Sequence, residues 1–582
     1  MAAETVTATA PQPADPKKKD AELPRDLTRE VFETIVFVVV LVLMLKLFVA
    51  EAFVIPTGSM ASSLWGDQVR CTCRECGHKF PINATITLAD HNRRTEHLSS
   101  YTCENCGYQC SERDVENDFS KVFPWGSDRV FSGDRVLVAK YAYHLRDPQR
   151  FDVPVFKYPV EPYAPKEMQG MNYIKRLVGT GGETIAVFGG DLYTTRDLRY
   201  GHITNDAPTD DMLWQYPISY RPRTPDDAWR FPFMYPNDAD AVTKFKNKEG
   251  GFDIVRKTPD QILAMRRMVF DLDHQPKSLS GVRRTRWHPS SNEGAGWEME
   301  ATGFRHAGGE PGWVRYQHID PWNKNEIKPH WIVDHLGYNA RDNVYNNPFP
   351  GGDDPRHAYS LVEHWVSDLI IDCTVEIPSG DSEVILELNK GTVACQAVFT
   401  KGECKLVRYV TDGKDVRKIE MGSQTTKMKE GGKYKLRFAN VDSRLTVWVD
   451  KKALAFSPEQ CDYPPPPPDQ PYLPTDTDKL QPARIGARGD VKCSSVSLWR
   501  DLHYNCAWSG GFPLDRHPLE PEKYPACDHV QTYYVQPDHY LMFGDNTNSS
   551  KDGRSWGLVP RRLMLGRAVV VYWPLSRLGV IE

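Results

Sequence analysis

The sequence predicts a mainly β protein with one N-terminal transmembrane helix. Aromatic residues make up 11% of its 582 residues and 44 residues are prolines, which is typical of strands joined by turns. Many segments alternate apolar and polar residues, with the period of a strand that is buried on one face. Residues 31–53 form a long apolar run that stands apart from this pattern. At roughly one domain per 100 to 200 residues, the chain has room for about three or four folded units.

The charge of the chain argues against a nucleic-acid partner. The formal net charge is only -5, and no long basic run occurs. Proteins that bind nucleic acid through its phosphates need a clustered basic surface. The sequence therefore predicts no nucleic-acid binding.

The apolar run VFETIVFVVVLVLMLKLFVAEAF, residues 31–53, predicts a membrane anchor. As a helix it would be about 34 Å long, enough to cross a hydrocarbon core. Its charged residues Glu33, Lys46 and Glu51 lie toward its ends, where long side chains reach the headgroups. Five basic residues precede it: Lys17, Lys18, Lys19, Arg25 and Arg29. The positive-inside rule then places residues 1–30, predicted as a disordered tail, in the cytoplasm and the rest of the chain outside.

A cleavable signal peptide is the alternative for the same run. Its uninterrupted apolar core, residues 35–45, is short, and Ala50–Ala52 reads AEA, like a cleavage site. The apolar flank beyond this core favours an uncleaved anchor. The sequence therefore predicts a single-pass protein of the cytoplasmic membrane whose folded domains are extracytoplasmic.

Four blocks carry the candidate chemistry. The first, AFVIPTGSM, directly follows the apolar run and ends at residue 60. The second, GDRVLVAKYAYHLRDPQRFDVPVFKYP, predicts strands near residues 135–140 and 153–156. In the third, MNYIKRLVGTGGETIAVFGGDLY, Lys175 and Arg176 close a short strand before a glycine-rich turn. The fourth, HYLMFGDNTNSSKDGRSWGLVPRRLMLGRAVVVYW, ends at residue 573.

In this order the four blocks resemble the type I signal peptidase family, membrane-bound serine/lysine endopeptidases that remove signal peptides. The resemblance covers roughly residues 31–70, 128–193 and 528–575. It implies a β catalytic domain in three parts, which we place as follows: residues 54–70 with the nucleophile, residues 128–193 with the general base, and residues 506–582.

The resemblance also implies roles for individual residues. Ser59 would be the nucleophile and Lys175 the general base. Thr57 would offer its hydroxyl to the oxyanion beside the backbone N–H of Ser59, and Ser550 would orient the Lys175 amine. The expected supporting residues are a turn and an ion pair: Gly544, Asp545 and Asn546 in the turn, and Asp552 and Arg554 in the ion pair.

Such a pair works without histidine because burial changes the lysine. A lysine in water, with a pKa near 10.4, is protonated at neutral pH and cannot act as a base. Burial against apolar side chains penalises the ammonium form and lowers the pKa by several units. No cofactor is expected for catalysis. The sequence departs from the family after Met60, where Ala61, Ser62 and Ser63 replace the usual variable residue, proline and threonine, which loosens the turn.

The resemblance implies secretory precursors as substrates. A precursor is held by its own apolar segment, so an enzyme anchored in the same bilayer meets it at high effective concentration. Shallow apolar pockets would select sites of the Ala-x-Ala kind. The predicted partners are thus signal-peptide-bearing preproteins and the lipid bilayer.

The first insertion, residues 71–127, contains two CxxCG motifs. Cys73 and Cys76 form one pair and Cys103 and Cys106 the other, the pattern of a zinc ribbon with four thiolate ligands. Cys71, Cys110, His78 and His97 are substitutes as ligands. Disulfides are the alternative, because the outside of a cytoplasmic membrane can be oxidising. A structural zinc ion is expected here, since four thiolates leave no open position for catalysis.

The second insertion is larger than the catalytic parts together. Residues 194–281 have no readable function and include a helix-like stretch, TPDQILAMRRMVFDLD, with a Thr cap. Residues 282–505 contain short alternating strands, and the hairpin YKLRFANVDSRLTVWVD followed by VSLWRD resembles a laminin G/concanavalin-like jelly roll. That resemblance implies a β-sandwich with a glycan or protein ligand, because the superfamily binds both.

The sequence as a whole predicts a signal peptidase I whose β catalytic domain is interrupted by a zinc ribbon and a jelly-roll sandwich. A catalytically silent, membrane-anchored receptor whose sandwich binds a ligand is the alternative. A peptidase that processes a narrow set of precursors recruited by the sandwich is the third reading.

Overall fold

The computed structural model describes most of the chain in fourteen stretches. They are residues 27–44, 46, 49–84, 100–111, 130–158, 170–199, 239–279, 286–300, 302–319, 329–339, 364–377, 382–429, 431–505 and 530–582. The predicted tail up to residue 26, much of the region 194–281 and candidate ligand His97 lie outside them. The mainly β character of the chain is confirmed. The chain divides into two compact units, residues 1–51 and 52–582.

In its described part, the first unit contains the helix Leu27–Met44, whose apolar side chains are exposed. Among the described residues, we find no helix with the length and apolar character that a bilayer crossing requires. The end of the predicted membrane segment is wrong, because Ala50–Val54 is a strand. Pro56 favours extended backbone in the residue before it, and Phe53 points toward a core that includes Ile55.

Strands of the predicted catalytic blocks form most of three sheets. The first has its strands in the order Ala50–Val54, Arg135–Ala139, Met564–Trp573, Pro154–Lys157 and Asn172–Ile174, with Gly579–Val580 beside the third. The second has the order Asp253–Ile254, Asp191–Thr195, Glu183–Phe188 and Gln531–Val535. The third has the order Val559–Pro560, His539–Phe543 and Arg176–Gly179. Residues 506–582, the third predicted part of the catalytic domain, thus supply strands to all three sheets and bring the distant blocks together.

Two larger antiparallel sheets form the insertion. One has the order Trp297–Glu300, Gly303–His306, Val491–Arg500, Leu369–Ile377, Gly432–Val441, Arg444–Val449 and Lys452–Ala453. The other has the order Trp287–Pro289, Gly312–Tyr316, Ala483–Arg488, Glu383–Lys390, Val393–Thr400, Glu403–Asp412 and Asp415–Thr425. Alternate residues of both sheets, such as Leu386, Phe399, Phe438 and Val447, pack into one common core.

The predicted start of this sandwich, residue 282, is too late. Strand Arg267–Asp271 pairs with Val491–Arg500 and so belongs to the first of the two large sheets. It occupies the second half of the stretch that the sequence predicted as a helix. Thr258 caps that helix as expected, but the helix spans only Pro259–Met265, because the following residues take part in sheet pairing.

The remaining elements are short. The other helices are Ala142–Leu145, Ala239–Lys246, Pro458–Cys461, Asp476–Leu480 and Gly553–Trp556. Two hairpins carry the cysteine motifs: Gln68–Thr72 with Lys79–Asn83, and Ser100–Thr102 with Gln109–Ser111. Two 3₁₀ turns matter below, Gly58–Met60 and Gly337–Asn339.

Candidate active site

Ser59 lies in the middle of the 3₁₀ turn Gly58–Met60. Thr57 enters the turn in extended conformation, and the Ala61 N–H closes it by donating to the Gly58 carbonyl at 3.0 Å. Met60 is fully buried and anchors the turn in the hydrophobic core, while Ser59 is only half-buried. The serine hydroxyl is therefore held on a fixed backbone at the edge of the core. Thr57, two residues earlier, is exposed.

Lys175 brings its amine to the Ser59 hydroxyl. Its Nζ donates to Ser59 Oγ at 2.5 Å and to the Ile174 carbonyl at 3.1 Å. The side chain is 2% exposed. Burial lowers the pKa of Lys175 to about 8, although the carboxylates of Asp552 and Asp545 oppose this shift. An amine with such a pKa is partly neutral near pH 8 and can accept a hydroxyl proton.

Ser550 lies beside the nucleophile turn, at a point where no side chain fits on Gly544. A Cβ on Gly544 would come within 2.0 Å of Ser550 Oγ and 2.5 Å of the Ser59 carbonyl oxygen. Only glycine therefore permits this contact. Ser550 is fully buried and also hydrogen bonds to Asp552.

Asp552 and Arg554 form the predicted ion pair. Arg554 donates to Asp552 through Nη2 at 2.7 Å and through Nε at 2.9 Å. The Gly544 N–H donates to the same carboxylate at 2.8 Å. Burial by itself raises the pKa of Asp552, but Arg554 and these hydrogen bonds hold it below its ordinary value. Asp552 is therefore an anion that fixes both Gly544 and Ser550.

Asp545 pairs with Arg176, the residue after the candidate base. The contact is bidentate, with Arg176 Nε 2.8 Å from Oδ1 and Nη2 2.7 Å from Oδ2. The two side chains are 1% and 0% exposed. The sequence placed Arg176 at a strand end and gave it no partner. Because Lys175 and Arg176 are adjacent, this pair holds the base against the turn that begins at Gly544.

Asn546 holds the nucleophile turn directly. Its side chain donates to the Gly58 carbonyl at 3.0 Å, and its backbone N–H donates to the Ser59 carbonyl at 3.1 Å. The same side chain exchanges two hydrogen bonds with Asn339, at 2.6 and 2.7 Å. The structure thus brings the predicted turn residues to Ser59. It adds Asn339, from the second insertion, as a further partner of Asn546.

Sequence reasoning missed three residues of the insertion at this site. Asn339 contacts Asn546, and Tyr338 packs so closely on Gly58 that a Cβ there would lie 2.3 Å from its ring. Arg267 donates to the carbonyls of Ala61 and Asp545 at 3.4 and 3.3 Å. No sequence signal would have identified them, since they belong to no motif and are far from the blocks along the chain.

The four predicted metal ligands also come together. The Sγ atoms of Cys73, Cys76, Cys103 and Cys106 all lie within 4.8 Å of one another. None of the described cysteines forms a disulfide. Cys71 and Cys110 are buried nearby without belonging to this group. His78 contacts Glu104 at 3.2 Å instead.

Two segments of the chain match a known family. Residues 127–217 and 477–573 match the family model described as signal peptidase, peptidase S26. These segments contain Lys175 and all the candidate residues of the C-terminal block, whereas Ser59 lies outside them. They support a peptidase.

Individual relatives agree with this match. Signal peptidase I of Leptolyngbya laminosa is 48% identical over 77 residues, which is 12% of this chain and 32% of that protein. Probable signal peptidase I-2 of Synechocystis sp. is 51% identical over 47 residues, 8% and 22% of the two chains. Signal peptidase I of Pseudomonas aeruginosa is 45% identical over 65 residues, 9% and 20%. The chain thus spans a third or less of the length of these relatives.

Solved structures with a similar β arrangement match the chain only weakly. Carbohydrate binding module CBM66 from Bacillus subtilis covers 37% of this chain and 96% of its own, with a TM-score of 0.22 and 9% identity. Sheep galectin-11, in complex with glycerol, covers 23% and 92%, with a TM-score of 0.17 and 16% identity. At these scores the laminin G/concanavalin resemblance of the sandwich stays a prediction.

Proposed function

We propose that this protein is a signal peptidase I that removes signal peptides from secreted precursors at the outer face of the cytoplasmic membrane. The observation that carries this proposal is the buried Lys175 amine, 2.5 Å from the Ser59 hydroxyl. A surface receptor has no need of a buried lysine against a serine, and a buried ammonium is costly unless it is used or paired. The silent-receptor alternative is therefore less well supported.

The proposed reaction begins with proton transfer from Ser59 to the neutral amine of Lys175. The alkoxide attacks the carbonyl carbon of the scissile bond, and the negative charge develops on the carbonyl oxygen. The backbone N–H of Ser59 and the Thr57 hydroxyl are the proposed donors to that oxygen. Lys175 then gives its proton to the leaving amine. In the second half, Lys175 takes a proton from water as that water attacks the acyl-serine ester. The bond to Ser59 Oγ then breaks, and Lys175 returns the proton to this oxygen.

The supporting groups keep the two reacting atoms in register. Asn546 holds the carbonyls of Gly58 and Ser59 within the turn, and Asp545 holds Arg176, the residue after the base. Ser550 and the Asp552–Arg554 pair are proposed to orient the Lys175 amine. A displacement of about 1 Å in such an arrangement can cost about 100-fold in rate.

The membrane location is part of the proposal. At the end of the chain, four apolar side chains are strongly exposed: Trp573 at 48%, Leu575 at 69%, Leu578 at 62% and Val580 at 71%. An exposed apolar patch with a tryptophan is typical of a surface that rests on lipid. The basic residues Lys17, Lys18, Lys19, Arg25 and Arg29 would lie on the cytoplasmic side.

Cleavage of a secretory precursor tests the proposed activity. We expect detergent-solubilised full-length protein to cut a precursor after the second alanine of its Ala-x-Ala site, as mapped by mass spectrometry of the product. A matched precursor with phenylalanine at that second position should stay intact, because the pocket is expected to admit only small side chains. Failure to cut several precursors would overturn the proposal and favour the receptor.

The pH dependence of cleavage should report on Lys175. We expect kcat/KM to rise with pH and to level off above about pH 8, because burial lowers the pKa of Lys175 to about 8 and only the neutral amine accepts a proton. Below that pKa the rate should fall about tenfold per pH unit. Initial rates from about pH 6 to about pH 10 measure this. A profile that is flat, or that falls as pH rises through 8, contradicts the assignment.

The sandwich is proposed to bind a glycan or a protein that recruits particular precursors. The sequence resemblance supports this role, and Asn339 and Arg267 place residues of the insertion next to the nucleophile turn. A precursor that is recruited by the ligand of the sandwich would then lie close to Ser59.

A further inference from the structure

The cysteine cluster has the dimensions of a tetrahedral zinc site. The Sγ atoms of Cys73 and Cys106 are 3.7 Å apart, and those of Cys76 and Cys103 are also 3.7 Å apart. A zinc–sulfur bond of about 2.3 Å gives a tetrahedron whose edges are about 3.8 Å. Four thiols at this spacing are therefore arranged as ligands of one ion.

The backbone of each CxxCG motif forms a tight turn that ends at its glycine. Gly77 and Gly107, which end the two CxxCG motifs, have positive φ angles of 73° and 74°. Their N–H groups each donate at 2.9 Å to the carbonyl of the first cysteine of the motif, Cys73 or Cys103. Only glycine adopts this left-handed conformation readily, which explains the glycine at the end of each motif.

Groups that donate hydrogen bonds surround the cluster. The Asn105 side chain donates to Cys76 Sγ at 3.5 Å. Arg286, which is 1% exposed, donates to the carbonyls of Asn105 and Cys106, both at 2.9 Å. The amide of Asn105 thus contacts one of the four sulfurs, and Arg286 holds the backbone of the second motif at residues 105 and 106. The cysteine hairpins are thereby also fixed to the insertion.

The turn Gly337–Asn339 connects this cluster with the nucleophile turn. At one end, a Cβ on Gly337 would lie 3.0 Å from the Thr102 carbonyl oxygen and 3.0 Å from the Glu104 nitrogen, the two neighbours of Cys103. At the other end, Asn339 exchanges two hydrogen bonds with Asn546. The turn is thus packed against the two neighbours of a proposed metal ligand and against Asn546, which holds the Gly58 carbonyl.

We infer that Cys73, Cys76, Cys103 and Cys106 hold a structural zinc ion, and that this ion fixes the position of Ser59 through the turn Gly337–Asn339. The ion takes no part in bond cleavage, because four thiolates leave no open coordination position. Without it, the residues around Cys103 lose their anchor, and Gly337 loses the surface against which it packs. Asn339 then no longer holds Asn546 in place. The effect on catalysis, though not the metal site itself, rests on the proposed peptidase activity.

Metal content and hydrogen exchange test the inference on the full-length protein. Elemental analysis should find about one zinc per chain, and Cys103→Ser should lose it. Removal of zinc by a chelator should raise the amide exchange of Gly58–Leu64, measured by mass spectrometry. It should also lower kcat about 10- to 100-fold with little change in KM, because the turn moves while the binding surface stays.

Asn339→Ala separates the coupling from the metal site. This variant should keep its zinc, yet its kcat should fall and its exchange at Gly58–Leu64 should rise. Removal of zinc from it should then have little further effect, because the connection is already broken. Cys71→Ser is the matched control, since Cys71 is buried in the same hairpin outside the four-sulfur cluster, and it should keep both zinc and rate.

The outcomes are distinguishable. A protein that purifies without zinc and does not take it up overturns the metal site. A zinc protein in which chelation changes neither exchange at Gly58–Leu64 nor kcat overturns the coupling, while cleavage of precursors still supports the proposed function. A protein that cuts no precursor, but in which zinc removal raises that exchange, refutes the peptidase and supports the coupling.

Discussion

Ser59→Ala and Lys175→Met should each reduce kcat/KM for a signal-peptide precursor by about 10⁴-fold, and the double variant should lose little more. The two groups act on one proton, so removal of either stops the same step, and effects of residues that act as a unit do not add. Lys175 Nζ lies 2.5 Å from Ser59 Oγ, so the base and the nucleophile are in direct contact. Rates are measured on a precursor with an Ala-x-Ala site.

Lys175→Arg sharpens this experiment. Arginine keeps the positive charge and most of the length of the side chain, but it stays protonated throughout the accessible pH range and cannot act as a base. We therefore expect Lys175→Arg to be as inactive as Lys175→Met. Lys157→Met, which removes an exposed lysine from a neighbouring strand, is the matched control and should retain activity. A Lys175→Arg variant with a near-normal rate would mean that Lys175 only positions Ser59.

The sequence predicted those parts of the site that lie within contiguous blocks. Ser59, Lys175 and the turn Gly544–Asn546 were named from short motifs, and the structure brings them together. Such motifs can be recognised in the sequence because each occupies one strand end or one turn. The four cysteines could be predicted as metal ligands for the same reason, since the two cysteines of each pair are close in the sequence.

The contacts from the insertion were not predictable in this way. Asn339 reaches Asn546 only because the sandwich packs against the peptidase-like sheets, and no local pattern records that packing. The same reason explains the misplaced start of the sandwich. Residues 267–271 directly follow a capped helix, and their apolar residues continue the spacing of that helix. Pairing with Val491–Arg500, more than two hundred residues later, makes them a strand.

The Arg176–Asp545 pair should be among the most sensitive points of the fold. Arg176→Met or Asp545→Asn leaves its partner without a counter-charge in a place where the side chains are 1% and 0% exposed. We expect each to lower the local free energy of unfolding by about 3–5 kcal/mol, the usual cost of an unpaired buried charge. Because two-state unfolding is not expected of a chain of this length, hydrogen exchange of strands Arg176–Gly179 and His539–Phe543 in increasing urea is the suitable measurement.

The double variant Arg176→Met/Asp545→Leu decides whether the loss comes from the unpaired charge or from lost packing. With both charges removed, no ion is left buried alone, so the loss should be much smaller than the sum of the two single losses. Glu420→Gln, in an exposed pair with Lys418, is the control and should leave stability unchanged. Burial by itself raises the pKa of Asp545, but Arg176 holds it below its ordinary value. The contribution of Asp545 is therefore present above the pKa of an unfolded aspartate and is lost as pH falls through its lower folded pKa. Additive single losses would instead mean that packing of the two side chains, rather than their charges, holds Lys175 against the nucleophile turn.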